Sequence, residues 1–343
     1  MTKDSLTPAS KPTFYDLGPD AICSAAEAFG GGRATGRFLQ LNAMENRVYD
    51  VEMDEGLPRR IVKFYRPGRW TAAQILAEHR FLLKVKDAEV PVVAPFLNET
   101  GETLLDSNGI LFTAFPRQGG RLEPELNPEQ LKRLGRYLAR IHNVGASMRG
   151  ESRLKLDVKT YGRDSLATLK DGGFLTGGTG ETYSRIVGEL CEVIEGRMEG
   201  AFTVLLHGDC HAGNVLWRDD APHFIDFDDM LYAPPVQDFW MLIGGSDDYA
   251  LKNLATLIKS YEEIREFDLS SLALIEPLRT LRMIYFSAWI ARRWEDGAFK
   301  AAFPYFGTDR YWQGQVEDLY QQMDRVQTTS ALSDVARLQE LMA

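Results

Sequence analysis

Cysteine is scarce in this chain: Cys23, Cys191 and Cys210 stand far apart among 343 residues. An odd, scattered set excludes a disulfide framework and points to a reducing, cytoplasmic setting. No Cys-x-x-Cys pair occurs and Cys210 adjoins His211, so His207, Cys210 and His211 lack the spacing of a tetrahedral zinc site. Basic residues are outnumbered, 39 against 49 acidic, for a net charge of −10. That balance argues against a nucleic-acid partner, because phosphate backbones are bound by clustered Lys and Arg. There is no run of about 18 apolar residues, so no membrane span is expected. The opening MTKDSLTPASKPTFYDLG has no apolar core to act as a signal peptide. Gly30–Gly36 is rich in glycine, yet no Lys-Ser or Lys-Thr follows, so it reads as a connector and not a Walker loop.

What is present is an ordinary globular composition, 44% hydrophobic and 26% charged, long enough for two unequal lobes. Residues 1–115 carry net −2 and the remainder −8, which suits either a cationic substrate or plain solubility. A polar, Pro/Ser-rich tail is expected over 1–13, then a helix from Pro19 that stops at three glycines. Alternation predicts strands at Arg37–Asn42, Arg47–Met53, Ile61–Tyr65, Val92–Leu97, Glu102–Leu105 and Ile110–Phe115, with a helix over Thr71–Lys86. Asp106–Gly109 is the expected hairpin turn. The polar stretch 116–127 reads as a hinge. Helical periodicity takes over from Pro128, with helices at Pro128–His142, Glu181–Arg197, Val236–Ile243, Asp247–Arg265, Ser270–Trp294 and Asp309–Gln327. Ser270–Trp294 is strongly apolar and reads as scaffold. The glycine-rich 145–180 region is the least readable part.

The chemistry concentrates in 204–229. Val204–Leu206 is a short apolar run, His207-Gly208-Asp209 opens a loop, and Asn214 lies five residues past Asp209. Two short strands, Val215–Trp217 and His223–Ile225, flank a turn at Arg218–Pro222. Asp226 follows, returned by the hairpin to the loop that holds Asp209 and Asn214. Phosphoryl transfer from ATP needs this set: a carboxylate and an amide oxygen to hold Mg²⁺, and a separate carboxylate to orient the attacking hydroxyl. Asn214 and Asp226 are the metal candidates, and Asp209 is the candidate base. His207 is expected to hydrogen-bond the loop backbone, and Asp238 to hold that loop in place. Lys63, a lysine between apolar strand neighbours, needs an anionic partner. Arg66, Arg69 and Trp70 follow closely and stay unassigned among phosphate contact, loop packing and partner binding.

HGDxHxxN followed by IDFDD and Gln237-Asp238-Phe239-Trp240 resembles the aminoglycoside phosphotransferase and choline kinase branch of the protein-kinase fold. ENRVY (45–49), VKFYRPGRWTAAQILAEH (62–79), LHGDCHAGNVLWRD (206–219) and IEPLRTLRMIYFSAW (275–289) resemble the bacterial stress response kinase A family. The resemblance implies an α+β, two-lobed kinase-like fold. An antiparallel-sheet lobe with its extension would cover 1–115 and a larger, mainly helical lobe 128–343, with nucleotide between them. Lys63 would then meet the phosphates, held toward them by an ion pair with Glu78 on the next helix. The turn at Ala43 would cover them, and backbone near Phe115 would read the base. Ala43 takes the place of a serine in that family, so no hydroxyl contact is expected there. A cytoplasmic, monomeric Ser/Thr protein kinase using ATP and Mg²⁺ is implied, with autophosphorylation and a role in stress survival. A small-molecule hydroxyl kinase is the alternative. A nucleotide-binding module without turnover is a third reading, against which the complete set of Lys63, Asp209, Asn214 and Asp226 speaks.

Overall fold

A computed structural model describes residues 13–14, 17–54, 56–243, 245, 247–328 and 334–343. The expected loose tail lies outside them except for Thr13. The chain divides into two compact units: Met1–Lys86 with Val92–Gly119, and Asp87–Pro91 with Gly120–Ala343.

The first unit holds α1 (Pro19–Glu27), β1 (Ala34–Leu41), β2 (Arg47–Met53), β3 (Arg60–Phe64), α2 (Ala72–Asp87), β4 (Leu105–Ser107) and β5 (Ile110–Pro116). The strands form one antiparallel sheet in the order β1-β2-β3-β5-β4. Val51, Val62, Phe64 and Ala114 are fully buried from the sheet and pack with Ile22, Ala26 and Phe29 from and beside α1, so burial of alternate apolar strand residues builds the core. Arg60 donates to Ala26 O at 2.7 Å and Gly30 O at 2.6 Å, closing the C-terminal end of α1 with a cation where the helix leaves carbonyls unpaired. Thr71 and Gln74 cap α2 reciprocally: Gln74 N–H donates to Thr71 Oγ1, and Thr71 N–H to Gln74 Oε1. β4 and β5 are joined by Asn108 and Gly109 alone, at φ 55° and 86°, the positive-φ pair of a tight hairpin. The turn is thus narrower than the four residues expected. Val92–Leu97 is not a strand beyond one bridging residue, Val92. Pro91 and Pro95 have no N–H for a ladder there, and Phe96 N–H to Ala114 O is the segment's tie to β5. Of Glu102–Leu105 only Leu105 enters a strand.

The second unit contains β6 (Arg121–Leu122), α3 (Pro128–Ser147), a π-helical turn at Val158–Arg163 running into α4 (Asp164–Asp171), and α5 (Gly177–Met198). β7 (Val204–Leu206), β8 (Val215–Arg218), β9 (Ala221–Phe224) and β10 (Leu231–Ala233) follow, then α6 (Val236–Ile243), α7 (Asp248–Tyr261), α8 (Ile275–Ala291), α9 (Gly297–Ala302), α10 (Asp309–Gln327) and α11 (Val335–Met342). The strands make a β10-β7 pair and a β6-β8-β9 sheet. α3 begins with a capping box between Asn127 and Gln130 and has Pro128 in its first turn, worth about 1 kcal/mol. At Gly145, α3 runs so close to β7 that an added Cβ would lie 1.7 Å from Leu205 O, so only glycine fits. The β8–β9 turn is made by Asp219 and Asp220, at φ 49° and 61°, while Arg218 and Pro222 belong to the strands. The expected helix over Ser270–Trp294 opens as a 3-10 stretch, Leu269–Leu274, before α8. No helix among the described residues is long and apolar enough to cross a membrane.

Candidate active site

In the first unit, Lys63 lies in β3 between Val62 and Phe64, both fully buried. Its Nζ is 3.7 Å from Glu78 Oε1 and 5.0 Å from the Tyr65 ring centroid. Glu78 is 1% exposed, so the pair is a buried one, in which an opposite charge offsets part of the cost of desolvation. Ala43 is half-buried in the β1–β2 loop. The arginines left unassigned by sequence hold that loop: Arg66 donates through Nε to Glu45 O at 2.9 Å, through Nη2 to Met44 O at 3.1 Å and through its backbone N–H to Asn46 Oδ1 at 3.1 Å. Glu45 Oε2 lies 3.4 Å from Arg66 and 3.8 Å from Arg69, and the Arg69 guanidinium rests over Trp70. These bonds substitute for glycine: the turn is fixed from outside by side chains. Phe115 buries its ring against His79, leaving only backbone for any polar contact.

In the second unit, β7 delivers His207, and the loop after it is built from hydrogen bonds. Asp238, fully buried on α6, accepts from His207 N–H at 3.1 Å and Gly208 N–H at 2.9 Å, with His142 Nε2 at 3.2 Å. Gln237 Nε2 donates to Gly208 O, and Trp240 Nε1 to Gln237 Oε1. Gly208 has φ 81°, and a Cβ there would sit 2.6 Å from Asp229 O. His207 donates from Nε2 to Ile225 O at 3.0 Å and accepts Asp209 N–H at Nδ1, a structural role.

Asp209 is therefore held by its backbone before its carboxylate is considered. Asn214 Nδ2 donates to Asp209 O at 2.9 Å and Oδ2 at 3.4 Å, and His211 Nε2 lies 3.5 Å from Oδ2. His211 Nδ1 accepts Gly213 N–H, which puts the proton on Nε2, toward Asp209. The other oxygen, Oδ1, accepts from Arg282 Nη2. Burial pushes the Asp209 carboxyl up; the hydrogen bond from His211 and the charge of Arg282 outweigh it and bring the pKa down to about 2. Ile225 N–H donates to Asn214 O, so Asp226 is one residue from bonds to both His207 and Asn214. Asp226 itself takes φ 59°, ψ 64°, a left-handed conformation that costs on the order of 1 kcal/mol and that Asp tolerates better than most residues. Behind it, Arg153 donates through Nε to Met230 O at 2.8 Å and through Nη2 to Asp228 O, clamping the turn Phe227–Asp229.

Asp209, Asn214 and the Asp226 backbone thus meet around one loop and one hairpin. No group of three His, Cys, Asp or Glu able to cage a metal occurs among the described residues. Asn214 commits its amide nitrogen to Asp209, leaving its oxygen available. An amide oxygen and a carboxylate are the kind of donors Mg²⁺ accepts, an ion that takes its other ligands from phosphate and water. Arg282 and Arg153 were missed by sequence reasoning. Arg282 had a signal, since a charged residue inside an apolar helix demands an anionic partner; Arg153, in the glycine-rich region, had none.

The profile of the phosphotransferase enzyme family matches residues 38–275. Stress response kinase A of Escherichia coli K12 is 42% identical over 311 residues, 90% of this chain and 94% of that protein. The serine/threonine protein kinase RdoA of Salmonella typhimurium LT2 is 39% identical over the same shares. Among solved structures, amicoumacin kinase hAmiN in complex with AMP-PNP, Ca²⁺ and Ami is 17% identical with a TM-score of 0.69, covering 87% of this chain and 93% of that one. The microcompartment-associated aminopropanol kinase is 20% identical with a TM-score of 0.65, covering 88% and 98%. These two bear on the fold alone, the α+β kinase-like fold. The chain belongs to the phosphotransferase enzyme family and is a kinase of the stress response kinase A group.

Proposed function

We propose that this kinase transfers the γ-phosphoryl group of Mg-ATP to Ser or Thr hydroxyls of protein, itself included, with Asp209 as the residue that orients the acceptor. The observation that carries the reading is the state of Asp209: a fixed carboxylate, ionised well below neutral pH, with Asn214 and Asp226 beside its loop. Such a weak base does not deprotonate a hydroxyl in advance. It accepts a hydrogen bond, aims an oxygen lone pair at the γ-phosphorus, and takes the proton as the new P–O bond forms and the bond to the ADP oxygen breaks. Asn214 and Asp226 would hold Mg²⁺, which when bound neutralises phosphate charge. Lys63, beside Glu78, would pair with a phosphate, Ala43 would leave the loop backbone open to it, and backbone at Phe115 would meet the base. Three free cysteines support a cytoplasmic location.

The small-hydroxyl alternative draws on neighbours whose names are those of antibiotic and aminopropanol kinases. Incubation with Mg-ATP, alone and with generic protein, followed by mass spectrometry separates the two. Phosphoserine or phosphothreonine that disappears in Asp209→Asn supports the protein-kinase reading. ATP consumption only on adding a small alcohol or amine supports the other.

A further inference from the structure

Arg282 does more in this site than balance a carboxylate. Between Pro277 and Trp294 the chain has four arginines and no acidic residue, although its net charge is −10. Arg282, Phe286, Trp289 and Arg293 follow one another on one face of α8 and its end, at the spacing of successive helical turns. Arg282 uses one of its five N–H groups on Asp209 and makes no other hydrogen bond among the described residues; its side chain is 38% exposed. One turn on, Phe286 is 46% exposed and stacks on Trp289 at 5.5 Å with the rings 16° apart. Arg293 then lies over the Trp289 ring at 5.1 Å. Outward from Asp209 the face therefore reads cation, aromatic, aromatic, cation.

Any hydroxyl that hydrogen-bonds Asp209 must come within about 3 Å of that carboxylate, beside the guanidinium that shares it. Whatever the acceptor carries next to its hydroxyl meets unused guanidinium donors. A cationic neighbour is repelled there. An anionic one is received, and Arg presents the planar fork that suits a carboxylate.

We propose that Arg282 is a specificity-determining residue that binds an acidic side chain next to the reacting Ser or Thr, and that α8 is the track for an acidic, aromatic-compatible protein segment. Charge complementarity selects this occupant, and the inference rests on the protein-kinase reading above.

Three serine peptides of equal length, with Asp, Asn or Lys flanking the serine, test it under Mg-ATP. The wild type is expected to favour Asp over Asn by about tenfold in kcat/KM, mainly through KM, and to use the Lys peptide least. Arg282→Met should bring the three rates together, and Arg282→Lys should keep part of the preference. Equal use of the Asp and Asn peptides by the wild type, or a preference unchanged in Arg282→Met, overturns this inference alone. No transfer to any peptide or to the chain itself overturns the protein-kinase reading and the inference with it. The wild-type comparison does not depend on a variant folding. Phe286→Ala, on the exposed face, gives a second measure: KM for the Asp peptide should rise, and an unchanged KM removes the track.

Discussion

Lys63 and Asp209 are two buried or half-buried charges held in opposite ways. Lys63 owes its position to regular structure: a strand with fully buried neighbours, and a partner, Glu78, on the helix that follows. Asp209 lies in a loop and depends on residues scattered through its unit. Its oxygens are met by His211 and Asn214 nearby and by Arg282 on α8, its backbone N–H by His207, and the His207 and Gly208 backbone before it hangs from Asp238 on α6 and through it from His142 on α3. The sheet-borne charge therefore sits on regular elements with a partner on the next helix, and the loop-borne charge in a network in which each member supports several others. Losing the ion pair should affect nucleotide binding; losing the network should affect chemistry and fold together.

The largest effect is expected at Asp209 and Asp226. Asp209→Asn should lower kcat by about 10³-fold, ~4 kcal/mol, with nucleotide affinity retained. Asp226→Asn should lose transfer to a similar degree and also the Mg²⁺ dependence of ATP binding, read by calorimetry with and without metal. Wild-type kcat in Asp209→Asn would remove the proposed base. Asp238→Ala should come next, costing ~3 kcal/mol in denaturant unfolding, because two backbone N–H groups and His142 lose a buried acceptor together. Were it to unfold like the wild type, the network would not be what holds the loop. Lys63→Met should raise KM for ATP about tenfold, ~1.4 kcal/mol, with a smaller change in Glu78→Gln, which leaves the lysine in place. If Glu78→Gln were the more damaging, the ion pair would be serving the fold more than the nucleotide.

Two smaller tests concern the loop and its hairpin. Asp220→Gly should stabilise the chain by about 0.5 kcal/mol in thermal unfolding, since glycine takes a φ of 61° without strain. The smallest effect is an expected absence. A carboxyl whose pKa falls to about 2 stays ionised down to acid pH, so Asp209 should produce no inflection in the pH–rate profile between pH 4 and 8. Because its folded pKa is below the unfolded one, the stability it contributes is present above about pH 3.9 and is lost as pH falls through about 2. Removing Arg282 leaves burial less opposed and should move the carboxyl upward, a shift that carbon-detected NMR titration would read.

How much of this was legible follows from distance along the chain. The His207–Asp226 stretch could be read as a loop and a returning hairpin because its parts lie within twenty residues, and the Thr71–Gln74 cap and the Asn127–Gln130 box are local by nature. The Val92–Leu97 segment was misread because β-branched residues signalled a strand while Pro91 and Pro95 denied it a ladder. Arg66 and Arg69 resisted assignment because their partner, Glu45, is on a different loop. Arg282 was taken for part of a scaffold helix, which α8 is on its buried side.

Composition, alternation and spacing were thus enough to determine an acidic protein with strands first and helices after, most of its longer helices and strands, and the order Asp209, Asn214, Asp226; the Lys63–Glu78 pair came with the family resemblance. Only the tertiary structure decided the left-handed backbone of Asp226, the suspension of the His207–Gly208 backbone from Asp238, the clamp from Arg153 and the guanidinium on Asp209. The physical reason is that capping, turns and periodicity act between residues a few positions apart, whereas a buried charge takes its partner from whatever the packed chain brings within a few ångströms.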